Sequence, residues 1–169
     1  MDMTLIKKIV STDAGFSALT LRLPIGIIFV AHGAQKLFGW FGGYGLVGTG
    51  QWMSSIGLEP GYYMALLAGN AELFGGLALL MGLMVRPAAL LLSITMLVAI
   101  FSVHFTNGLF MADNGYEYTL VLFAASVSLM FSGAGKLSLD KFSKQRLALS
   151  AIHDRPIFLL INKSSSIKK

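Results

Sequence analysis

AALLLSITMLVAIFSVHFT, residues 88–106, follows directly on Arg86-Pro87 and contains no Asp, Glu, Lys or Arg. A helix of about twenty such residues crosses a hydrocarbon core. Three further apolar segments, 19–38, 62–84 and 116–131, have comparable length. Of the thirteen Lys and Arg residues, only Lys36 lies outside three zones: the N-terminal stretch through Arg22 at the start of the first segment, the Arg86-Pro87 break and the C-terminal tail.

Charge then orients the chain. The 39–61 connection has Glu59 but no Lys or Arg, the second contains Arg86, and the 107–115 connection has Asp113 but no Lys or Arg. The tail after Gly135 carries eight basic residues: Lys136, Lys141, Lys144, Arg146, Arg155, Lys163, Lys168 and Lys169. Basic residues concentrate on the cytoplasmic side of membrane proteins. The expected fold is therefore all-α, an integral membrane four-helix bundle with N and C termini cytoplasmic. Residues 1–16 form a cytoplasmic N-terminal segment, 17–135 the four-transmembrane-helix domain and 136–169 a basic cytoplasmic tail. Lys7, Lys8 and Arg22 hold the start of the first span inside, and its length and polar end mark a retained helix, not a cleaved signal peptide. The tail stretch 156–161 is too short to span and reads as an interfacial or packing element.

Composition agrees. Hydrophobic residues make up 55% and charged residues 12% of the chain, against about a quarter charged in an average soluble domain. The formal charge of +5 sits at the membrane flanks, which points to anionic lipid headgroups and not to nucleic acid. Absence of cysteine removes disulfides, thiolate catalysis and cysteine-ligated metal sites. Trp40, Phe41, Tyr44 and Trp52 make the first outer connection aromatic, as in headgroup-level segments.

Five ionisable residues stay inside or beside the spans, where charge is expensive: His32, Lys36, Glu72, His104 and Glu117. Helical spacing places Arg22, Gly26, Phe29, His32 and Lys36 on one stripe of the first span. Ala65, Gly69, Glu72 and Gly76 form a stripe on the second, and Glu117, Val121, Ala124 and Ser128 one on the fourth. Lipid does not tolerate these charges, so the stripes are expected to face one another around a polar cavity in the outer half of the bundle. Glu72 reads either as a functional carboxylate or as a structural partner of Lys36 or His32. Arg22 and Arg86 read as topology anchors.

Other motifs fail on context. GYGLVG at 43–48 has the dinucleotide-binding spacing but no preceding strand. Gly135-Lys136 lacks the remaining residues of a phosphate loop. Ser138 and Lys141 match a serine–lysine pattern that has no partners here. His32 and His104 alone do not make a convincing haem pair, and no metal set is expected.

Four stretches together carry a family likeness: HGAQKLFG at 32–39, GNAELFGG at 69–76, GYE at 115–117 and GAGKLSLD at 133–140. In these the chain resembles the DoxX family of small bacterial membrane proteins, over roughly residues 17–142. The resemblance implies a multi-pass protein of the bacterial cell (inner) membrane. It also implies a link to quinone chemistry, since members are described as candidate oxidoreductases or quinone-linked subunits. On this reading the protein is a component of a redox system that interacts with a quinone or similar lipophilic substrate. Electrons would come from a soluble or membrane redox partner, because no cofactor motif is present. The alternative is a small transporter or scaffold in which Glu72 is a proton-coupling or structural carboxylate.

Overall fold

A computed structural model describes residues 15–153, with side chains to Arg146. Among the described residues the chain forms six α-helices and no strand. They are α1 (Ser17–Phe38), α2 (Gly45–Ser55), α3 (Gly61–Met81), α4 (Val85–Ala99), α5 (Glu117–Ser132) and α6 (Leu139–His153). Lys7, Lys8, Arg155, Lys163, Lys168, Lys169 and the 156–161 stretch lie outside the described residues. Three apolar helices are long enough to cross a membrane: Ser17–Phe38, Gly61–Met81 and Val85–Asn107, of 22, 21 and 23 residues. The third counts α4 together with a π-helical turn, Ile100–His104, and a 3-10 turn, Phe105–Asn107, that continue it. α5 is equally apolar but has 16 residues. At 1.5 Å per residue it is about 24 Å long, short of a core of about 30 Å.

Helix ends fall where the chain can turn. Gly39 and Gly82 terminate α1 and α3 at φ of 72° and 64°, left-handed conformations that glycine adopts without penalty. Pro60 precedes α3, and Pro87 sits in the first turn of α4, where a missing N–H breaks no helical bond.

Glycines set the α1–α3 pairing. A Cβ on Gly33 would lie 2.5 Å from the Leu73 nitrogen, and one on Gly76 would lie 2.8 Å from the Gly26 oxygen. The backbones are thus nearly in contact, as small residues permit between membrane helices. The predicted α3 stripe of Ala65, Gly69, Glu72 and Gly76 is buried throughout. Leu92 and Met96 of α4 and Leu122 and Leu129 of α5 join Phe29 and Leu79 in one apolar core. Around this core the helices follow the order α1, α3, α4, α5, and α5 touches α1 again.

The α5 stripe requires a correction. Val121, Ala124 and Ser128 are exposed, and the buried face carries Thr119, Leu122, Ala125, Ser126 and Leu129. One residue of offset is about 100° around a helix, and packing against α4 fixes the apolar face instead of the one that Glu117 marks. Two helices were also not expected. α2 lies inside the 39–61 connection, and α6 occupies the first part of the tail.

The 133–140 segment clamps one end of the bundle. Arg22, 1% exposed, donates to the carbonyl oxygens of Leu79 at 2.9 Å and Leu80 at 3.0 Å, and to that of Leu137. Asp140, equally buried, accepts from Met84 N at 2.7 Å and Val85 N at 3.1 Å, and so caps α4. Its own N–H donates to Gly82 O at 2.9 Å, and Lys136 N donates to Gly15 O at 3.0 Å. Burial pushes the Asp140 carboxyl above the ordinary carboxylate range, against the pull of the Val85 and Met84 donors and of Arg22 and Arg86. Arg22 is thus more than a topology anchor: it joins α1 to the end of α3 and to the 133–140 segment.

Candidate functional site

At the other end, beside the 39–61 and 107–115 connections, the helices enclose a cavity of about 960 Å³. That is at the upper end of the range for small-molecule sites, roughly 300–1,000 Å³. Its lining is mostly aliphatic and aromatic, with a few polar side chains from four elements: His32 and Lys36 on α1, Glu72 on α3, His104 after α4 and Tyr118 on α5.

Lys36 and Glu72 meet because Gly33 lets α1 lie against α3. Lys36 Nζ donates to Glu72 Oε2 at 2.6 Å. The Glu72 side chain is 3% exposed and that of Lys36 23%, so the carboxylate is covered and the ammonium reaches the cavity. A buried charge is tolerable only when paired, and this pairing meets that condition. It leaves two of the three ammonium donors for other partners.

His32 stands one turn before Lys36. Its Nδ1 is buried without a hydrogen-bond partner among the described residues, and its ring lies 6.1 Å from that of Tyr118, tilted by 46°. An orphaned buried nitrogen calls for an explanation, and an exchangeable water or ligand atom supplies one.

His104 ends the π-helical turn, a local irregularity that often marks functional positions. Its Nδ1 lies 2.8 Å from the Asn114 carbonyl oxygen. A carbonyl only accepts, so Nδ1 carries the hydrogen, and in the neutral ring Nε2 is left as an acceptor.

Four of the five predicted residues, His32, Lys36, Glu72 and His104, therefore line one cavity. Glu117 does not. Its Oε1 accepts from Met111 N at 2.8 Å and its N–H donates to Leu109 O at 2.9 Å, so it braces the 107–115 connection. As the first residue of α5 its carboxylate also meets the positive end of that helix. Tyr118 and Thr119 take the cavity-facing positions instead, together with Asn70 and Trp52. Tyr118 was discoverable from its spacing with Leu122, Ala125 and Leu129, which form the buried face of α5.

The DoxX family model matches residues 17–105. The chain belongs to the DoxX family. It is 36% identical over 73% of its length, and 84% of the relative's, to a Bacillus subtilis protein named "Putative oxidoreductase CatD". An uncharacterized protein of Haemophilus influenzae is 35% identical over 74% of the chain and 90% of its own length. An uncharacterized membrane protein of Mycobacterium tuberculosis is 30% identical over 80% and 86%. No solved structure matches. Family and helices together make this a multi-pass membrane protein. The matched region contains α1, α3 and α4 whole, and hence His32, Lys36, Glu72 and His104 of the cavity.

Proposed function

We propose that this DoxX protein is a membrane component of a redox system whose cavity receives the head of a quinone or similar lipophilic substrate. The observation that carries this reading is the Lys36–Glu72 pair on the wall of a large, otherwise apolar cavity. The remaining ammonium donors suit a carbonyl oxygen. His32 and His104 stand where protons would be taken up as a quinone is reduced, the role that positioned imidazoles play in acid–base chemistry. Electrons come from a separate redox partner. The oxidoreductase name of the Bacillus subtilis relative supports the same direction.

The topology proposed with it has four spans, α5 being the short one, with both termini cytoplasmic. The cavity then lies in the outer half of the bundle, and the basic tail lies against anionic lipid headgroups.

Purified protein in lipid nanodiscs, titrated with a water-soluble short-chain quinone, tests the reading. Binding that weakens at least tenfold in Glu72→Gln, without loss of the folded state, is the expected result. Absence of quinone binding, together with proton-dependent solute flux in liposomes, would move the assignment to a transporter. Absence of both would leave a scaffold.

A further inference from the structure

The cavity opens between α3 and α4, and this opening faces lipid. α3 and α4 leave their hairpin in tight contact, since a Cβ on Gly75 would lie 2.9 Å from Leu92 Cγ. Beyond that crossing, small side chains line the cavity from both helices: Ala68 and Ala71 on α3, Thr95 and Ala99 on α4. Large apolar side chains form the rims. Leu67 and Phe74 on α3 are 65% and 61% exposed, and Leu91 and Ile94 on α4 are 55% and 51% exposed, yet all four also line the cavity. A residue that lines a cavity while remaining exposed sits at its mouth. α3 and α4 are both long, apolar, membrane-crossing helices, so this mouth opens into hydrocarbon.

The wall opposite the mouth comes from α1 and α5, which meet where the His32 and Tyr118 rings approach. His32, Lys36 and Tyr118 are therefore at the back, and the slot in front is apolar apart from Thr95, whose hydroxyl is taken up by the Leu91 carbonyl at 3.0 Å. The end towards the 39–61 and 107–115 connections is lined by Trp52 and Met111, both exposed, so a second opening lies there, among aromatic and loop residues. The shape is that of a site with a polar head position and an apolar channel leading sideways from it.

We propose that the slot between α3 and α4 is a lateral portal, through which an amphiphile enters from the bilayer and in which its extended apolar chain remains. The head lies among His32, Lys36 and Tyr118, and the chain passes over Ala99 and Ala71 into the lipid. This rests on the reading of the cavity as a site for a lipophilic redox substrate and adds a requirement: the ligand must carry a chain. Affinity then depends on the tail through packing against the slot floor, since lipid already shelters the tail from water and only closer contact with the protein distinguishes the two.

Trp52 lines the cavity and Trp40 is the other tryptophan of the chain, so Trp40→Phe leaves a reporter at the site. In nanodiscs, Trp52 quenching is titrated with decylubiquinone and with its chainless head, 2,3-dimethoxy-5-methyl-1,4-benzoquinone, both expressed as mole fraction in lipid. The expected result is at least a tenfold preference for the tailed quinone, falling to within about twofold of unity in Ala99→Phe, which fills the slot. Thermal unfolding verifies that this variant folds, and Ala99→Leu replaces it if it does not. Equal binding of the two quinones, or a preference that survives the filled slot, overturns the portal but leaves the redox reading standing. If neither quinone quenches but lipid with brominated chains does, and the filled slot removes that quenching, the portal holds and the redox substrate is wrong. No quenching by any of them overturns both.

Discussion

Lys36 and Glu72, 36 residues apart in sequence, share a 2.6 Å hydrogen bond that closes the gap between two helices at the wall of the cavity. The pair is both a structural tie and the site's most polar feature, and substitutions separate the two roles.

Removing Lys36 alone strands a carboxylate that is almost wholly buried. Lys36→Met is expected to destabilise the fold by about 3 kcal/mol, the scale of a broken buried pair. The double variant Lys36→Met, Glu72→Leu is expected to regain most of that stability while losing ligand binding. Thermal unfolding in detergent beside a quinone titration reads both quantities. A double variant that binds as well as the parent would remove the pair from the site.

Gly33 is the position on which the pairing rests. In Gly33→Ala the new methyl meets the backbone of Leu73 and Gly69 at 2.5 and 2.8 Å, and backbone cannot step aside as a side-chain tip can. The expected cost is about 1–3 kcal/mol, with α1 displaced from α3. An introduced cysteine pair across the crossing should then cross-link more slowly than in the parent. Unchanged cross-linking and stability would show that the two helices are not in contact there.

Asp140 caps α4 through two N–H groups. Asp140→Ala leaves both without their acceptor and is expected to cost about 1–3 kcal/mol. Asp140→Asn, which keeps one acceptor oxygen, should cost less. The cavity lies at the far end, so quinone affinity in the surviving fold should change by less than about twofold. A large change in affinity would couple the two ends.

Topology has its own check. Tags near Ser54 and Asp113 should be labelled from outside intact cells, and a reporter after Lys169 should read cytoplasmic. A tail on the outside would reverse the orientation and the depth of the cavity.

The apolar segments announced the helices, and on α1 and α3 the charges and glycines marked the inner face. Glycine stripes and buried charge report the same thing there, since both are excluded from lipid. On α5 the two signals part. Glu117 marks the end of the helix and turns back to the loop, while the packed face begins one residue later at Tyr118 and is written in aliphatic side chains that lipid would accept equally well. The cap made by Asp140 was illegible for another reason. Among eight basic residues it reads as one more solvated charge, and only the arrival of the α4 N-terminus beside it buries it.

Arg22 carries a consequence for how the protein is made. Its last carbonyl partner, Leu137, lies 115 residues downstream. At roughly 5–20 residues per second of synthesis, the guanidinium waits on the order of ten seconds for it. The carbonyls of Leu79 and Leu80 are made earlier, so until then only part of the guanidinium's donor set is met. The first helix thus receives its final tie only after α5 and the 133–140 segment are made, and a chain truncated before Leu137 would leave the Arg22 Nη2 without that acceptor.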